Sequence, residues 1–301
     1  MNKIFKTLSL SIFVLLFVIF IIYLTKVNYK ETINVTSPTV LQNNSNVDLN
    51  NDGNFESIKI IQIDNNKQDI EITTIDKTFL LSSLTKNNYL SNCSNSYSIK
   101  VRLLNISRDN KPRILVQGYL KEKPVTYLFS YTDKNFKLEY YCNNSNISGI
   151  IDSNLNRTPQ IAFFNSSDLN KSFKNFMIIN NDLIDISKNS IKTYGASEIL
   201  KLIDIICLEY EVVDYPNIFH KNATDDSISP IWSLNKNDFM YSFKNGFFYD
   251  NEVDKNGVLQ NISWSLQFEK INKISNEKEI FKLNVESSRD ENNNFKISSI
   301  K

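Results

Sequence analysis

The sequence predicts an N-terminal transmembrane helix, then a mainly β region of antiparallel meanders, then a C-terminal α+β domain with one helix on an antiparallel sheet. Three observations predict it. Thr7 to Leu24 is an uncharged run of 18 residues rich in Leu, Ile, Val and Phe. Short runs with period-2 alternation, separated by Asn, Asp, Lys and Ser clusters, fill residues 47–190. One helix-periodic segment near residue 200 is followed by further alternating runs.

The apolar run is just long enough to cross a hydrocarbon core as a helix. Lys3 and Lys6 precede it and favour a cytoplasmic N-terminus. Tyr23 and Lys26 sit where an interfacial anchor would, and Thr25-Lys26-Val27-Asn28 offers no small-x-small cleavage site. Residues 1–27 therefore read as an uncleaved signal anchor in a cell membrane, with the bulk of the chain extracytoplasmic. A cleaved signal peptide is the competing reading. Residues 28–46 are polar and read as a spacer.

Bulk composition excludes several classes. Lys+Arg 34 against Asp+Glu 33 gives a net charge of +1, without the basic excess of a nucleic-acid binder. Aromatics at 12% suit folded cores. Cys93 and Cys142 lie in polar surroundings and can pair outside the cytoplasm, or all three thiols stay free; Cys207 reads as a small core residue. No Cys-x-x-Cys pair occurs and His220 is the single histidine, which argues against structural zinc.

Within 47–190 one stretch recurs. Asp48-Leu-Asn-Asn-Asp52-Gly53-Asn-Phe-Glu56 aligns with Asn105-Ile-Ser-Arg-Asp109-Asn-Lys-Pro-Arg113 and with Asp152-Ser-Asn-Leu-Asn156-Arg-Thr-Pro-Gln160. The starts lie 57 and 47 residues apart, the length of a four-stranded unit, and each stretch runs into a strand. The segment resembles VCBS/FG-GAP repeats of bacterial surface proteins. That resemblance implies propeller-type blades, each with a calcium loop between its first strands. Three blades are fewer than a closed propeller uses. In the first copy Asp48, Asn50, Asp52 and Glu56 with the carbonyl of Asn54 supply hard oxygens for Ca2+; a turn held by Asx hydrogen bonds is the alternative. The second and third copies keep one carboxylate each, Asp109 and Asp152, with Asn154 and Asn156 as neutral oxygens in the third.

Residues 188–196 read as a boundary, with an α+β domain over 195–301. Ile199, Leu200, Ile203, Ile206 and Cys207 mark a helix over about 198–210, capped by Ser197. Asn217 to Pro230 reads as a loop. Ile262, Trp264, Leu266 and Phe268 alternate with Asn261, Ser263, Ser265 and Gln267, which predicts one buried and one wet face. Helix followed by antiparallel sheet loosely resembles nuclear-transport-factor-like and cystatin-like folds. Phe239, Tyr241, Phe243, Phe247, Phe248 and Tyr249 line a ligand cleft or fill a core.

No nucleophile motif, P-loop or H-E-x-x-H appears, and His220 has no partner in the sequence. The expectation is an extracytoplasmic binding or interaction protein with no catalytic residues, taking a protein or cell-wall glycan partner. An envelope hydrolase with its site in 195–301 and a purely structural spacer are the alternatives.

Overall fold

The computed structural model describes residues 32–34, 38–94, 96–107, 111–132, 134–151, 158–168, 173–189, 193–212 and 215–301. The expected anchor, residues 1–27, lies outside them, as do Asp109, Asp152, Asn154 and Asn156. No helix among the described residues is long and apolar enough to cross a membrane.

The chain is mainly β, in antiparallel sheets, with helix and sheet at its C-terminal end. The stretch expected as a spacer contributes strands instead: β1 (Thr32–Asn34), β2 (Thr39–Val40) and β3 (Asn44–Val47). Short Thr- and Val-bearing runs of this kind pair readily along open sheet edges.

Three antiparallel meanders of four strands follow. The first joins β3 to β4 (Glu56–Asp64), β5 (Lys67–Thr73) and β6 (Thr78–Leu80), with β7 (Ser91–Asn92) also on β5. The second runs β8 (Lys100–Leu104), β9 (Arg113–Leu120), β10 (Lys123–Thr132) and β11 (Asn135–Cys142), and β2 extends it beside β8. The third runs β12 (Ile147–Ile151), β13 (Gln160–Phe164), β14 (Lys174–Ile179) and β15 (Asp182–Asp185). Tight hairpins set these registers. Lys121-Glu122 and Asn180-Asn181 carry paired positive φ angles, as two-residue turns between twisted strands require.

The third meander does not end at residue 190. β12 pairs in parallel with β16 (Phe239–Asp254), which continues through β17 (Leu259–Asn272), β18 (Lys278–Arg289) and β19 (Phe295–Ile300). With β1 on β16, this makes one nine-stranded sheet. The expected boundary at 188–196 thus falls within a crossover between two strands of one sheet. Gly149 makes the junction: it lies opposite Phe248, and a Cβ there would sit 2.2 Å from the Phe248 ring.

α1 (Ala196–Cys207) and α2 (Asp225–Trp232) complete the chain. α2 begins inside the stretch expected as a loop, Asn217 to Pro230. Its start is a capping box, with Thr224 and Ser227 satisfying each other's backbone N–H, and Pro230 follows. α1 begins one residue before the expected cap. Gly195, at φ 73°, is the N-cap, and the Ser197 hydroxyl turns to Glu198 instead.

The layers share faces. Ile58, Ile70 and Ile72 of the first sheet pack on Val101, Ile114, Val116, Tyr127 and Phe129 of the second. The other face of the second sheet sends Leu104, Leu115 and Leu128 against Ile150, Ile161, Phe163 and Phe247 of the nine-stranded sheet. The far face of that sheet buries Trp264, Leu266, Phe268 and Phe248 against both helices, including Ile199, Ile206 and Ile231. The second sheet is covered on both sides, which is why RILVQGYL is buried almost throughout.

Candidate functional site

In sequence, with residues 108–110 and 152–157 outside the described residues, each of the three recurring stretches lies between the first and second strands of a meander. Their last residues, Glu56, Arg113 and Gln160, each open the second strand and are buried. In the first loop Asp48 accepts from the amides of Asp52 (3.2 Å) and Gly53 (2.9 Å). Asn50 accepts from Asp52 N, Asp52 from Asn54 N at 2.8 Å, and Glu56 from the amide of buried Leu49 at 2.7 Å. Gly53 supplies the left-handed φ of 87° that the turn requires.

The backbone hydrogen bond from Asn54 and the side chain of Asn50 hold the Asp52 carboxyl below its ordinary range. Burial pushes Glu56 up, more than the Leu49 amide pulls it down, with Asp52 and Asp48 adding to the rise. The donor types suit Ca2+, but Asp48, Asn50, Asp52 and Glu56 spend oxygens on the loop's own amides. Among the described residues no three of His, Cys, Asp or Glu group as metal ligands.

A second site was not legible beforehand. The face of β17 expected to be wet is half covered by the second sheet. Ser263, Gln267 and Glu269 are buried, and Ser265 is exposed. Arg102 of β8, 6% exposed, lays its guanidinium 4.6 Å from the centre of the Phe247 ring and donates to Gln117 at 2.8 Å. Gln117 in turn donates to the carbonyl of Gly246 at 3.2 Å. Lys100 lies opposite Gln117 on β9, two residues from Arg102 and on the same face.

Across from them the register of β16, β17 and β18 aligns Asn245, Gln267 and Lys282 in one row, on the same face as Phe247. The next row along β17 holds Glu269. It accepts from Ser96 and pairs with Lys244 (3.1 Å) and Lys278 (3.4 Å). Tyr119 donates to the carbonyl of Lys244 at 2.7 Å. A cleft of about 750 Å³ opens beside Glu269, lined by Ser94, Ser96, Phe239, Asn272, Lys278 and Glu279 among others.

The electrostatics of this seam are uneven. Burial raises the Glu269 carboxyl, but the Ser96 and Lys244 hydrogen bonds and the charges of Lys244 and Lys278 outweigh it, leaving it below the ordinary range. Burial first, then the neighbouring charges of Lys282 and Arg102, lower Lys100 to about 8. Burial lowers Arg102 to about 10. Among the described residues Lys100, Arg102 and Lys282 make no ion pair with a carboxylate. The buried amide donors Asn245 Nδ2 and Gln267 Nε2 have no acceptor.

The remaining expected residues fall outside this seam. His220 sits in the connection before α2 and accepts from the Asn222 amide at 3.2 Å. Cys93, Cys142 and Cys207 are free thiols, and burial raises Cys93 and Cys207, disfavouring the thiolate. The aromatic set divides: Tyr241 and Phe248 belong to the helix-covered core, Phe247 to the opposite face, and Phe239 to the cleft wall. Comparison with family models, curated proteins and solved structures finds no match.

Proposed function

We infer that this chain is a non-catalytic binding protein of the cell envelope. A single helix over Thr7–Leu24 holds it in the membrane, with the stacked sheets outside. Its three meanders are read as copies of one VCBS/FG-GAP-like unit. Support for the repeat comes from the shared position of the three loops and the burial of Glu56, Arg113 and Gln160. The observation that carries the binding reading is the polar seam. Buried donors without acceptors cost stability, and a fold retains them most readily where a ligand completes them.

Hydrolysis is the weaker reading. A carboxylate held below its ordinary range by two lysines and a hydroxyl is a poor general base, and Ser96 therefore lacks an activating partner. The test has two arms. External protease on intact cells is expected to digest the sheets while leaving the anchor protected. Full-length protein in detergent is expected to sediment with isolated envelope and release no soluble fragments. Protection of the sheets, or fragment release that Glu269→Gln abolishes, overturns the reading.

A further inference from the structure

We propose that the seam between β8 and the β16–β18 face is a receptor for a phosphoryl group. This inference rests on the binding reading and names the ligand chemistry of that site. Five donor side chains from two different sheets converge there; among the described residues none of the three cations pairs with a carboxylate, and the two amides have no acceptor. Arg102 spends one nitrogen on Gln117 and is braced flat against Phe247. A guanidinium fixed in this way presents its remaining N–H groups in a planar fork, which suits a tetrahedral oxyanion. The charge of Lys282 acts on Lys100, and among the described residues neither makes an ion pair with a carboxylate. Asn245 and Gln267 add two buried amide donors in the same cross-strand row as Lys282.

The chemistry separates phosphoryl groups from other ligands. Three cations exceed what one carboxylate neutralises, whereas free phosphate carries up to about two charges near neutral pH and a phosphodiester polymer carries one charge and two free oxygens on every repeat. A cationic or neutral sugar leaves the cations uncompensated. Glu269 does not fill the role, because Ser96, Lys244 and Lys278 already engage it.

The phosphoryl group can arrive as free phosphate or as part of an anionic envelope polymer. Full-length protein in non-ionic detergent would be titrated calorimetrically with inorganic phosphate, with a poly(glycerol phosphate) chain and with acetate, all at one chloride-balanced ionic strength. Saturable binding of at least one phosphate probe is expected, with no acetate binding. Preference for the polymer assigns the ligand to the envelope, and equal or better binding of inorganic phosphate assigns it to the free ion.

Lys282→Gln is expected to weaken binding at least tenfold. Lys282 is exposed, so its substitution leaves the fold intact even if Arg102→Gln fails to fold. Binding no different from chloride, equal binding of acetate, or unchanged affinity in Lys282→Gln overturns the proposal. Absence of phosphate binding with envelope sedimentation retained would overturn this site alone. Release of envelope fragments with phosphate binding retained would overturn the non-catalytic reading alone.

Discussion

The nine-stranded sheet buries residues on two faces, and along β17 those faces differ in character. Beneath the helices, Trp264 stacks on Phe248 at 4.5 Å, with Leu266 and Phe268 on the same strand face. On the opposite face β17 buries Ser263, Gln267 and Glu269 instead. One face contributes stability through apolar burial; the other gives up stability to keep donors in place. The contrast is testable at neighbouring positions of β17. Trp264→Ala is expected to lower unfolding free energy by about 3–5 kcal/mol in urea titrations, from lost transfer energy and a residual cavity. Gln267→Leu is expected to raise it by about 1 kcal/mol, because the substitution removes an unsatisfied buried amide, while weakening phosphate binding. Comparable destabilisation by both would break the distinction between the faces.

The junction that makes these two faces parts of one sheet gives the next largest effect. Gly149→Ala puts a Cβ into the Phe248 ring, and overpacking of this kind costs about 1–3 kcal/mol. Adding Phe248→Leu is expected to recover part of that loss, measured as a double-mutant coupling. Simple additivity would mean that the ring contact does not limit how closely β12 approaches β16.

Glu269→Gln sharpens the polar side of the comparison. It leaves Lys244 and Lys278 without their shared carboxylate, at an expected cost of about 2 kcal/mol. The folded carboxyl lies below its ordinary 4.5. Its contribution is therefore present above pH 4.5 and lost as pH falls through the folded value. Wild type and variant stabilities are expected to converge on acidification.

Lys100 has the opposite sign. Its folded value of about 8 lies below 10.5, so between those values the unfolded chain holds the proton more firmly. Stability rises with pH across that window by at most about 1.4 kcal/mol per pH unit. The same rise is expected to be smaller in Lys100→Gln.

Much of the fold was legible because strands with one apolar face alternate visibly: QIAFF and RILVQGYL are strands with the expected bounds. The first loop was legible too, since Asp48, Asn50, Asp52 and Gly53 at fixed offsets mark a turn. The seam was not. Ser263 and Gln267 alternate with Trp264 and Leu266 as though facing water, and yet both are buried. Arg102 looks like one more solvated charge between Val101 and Leu103. Helix α2 escaped because eight residues containing Pro230 show no sustained period, so the Thr224–Ser227 capping box was its main local signal. The stretch before Val47 looked like a spacer because strands of two to four residues are too short for alternation to register.

The smallest expected effect concerns the first loop, which contrasts with the seam in having its acceptors satisfied from within. Asp48 holds two backbone amides, Asp52 one, and Glu56 closes on Leu49. The loop already closes on these bonds without a cation, so thermal unfolding of the full chain is expected to show the same midpoint in millimolar calcium and in chelator. Asp52→Asn keeps an oxygen for the Asn54 amide while removing the charge, and is expected to change stability by no more than about 0.5 kcal/mol. A ligand that binds only the folded state raises the midpoint with its concentration. A calcium-dependent rise that Asp52→Asn abolishes would therefore place the ion among Asp48, Asn50, Asp52, Asn54 and Glu56, and would make the loop a second binding site instead of a self-closed turn.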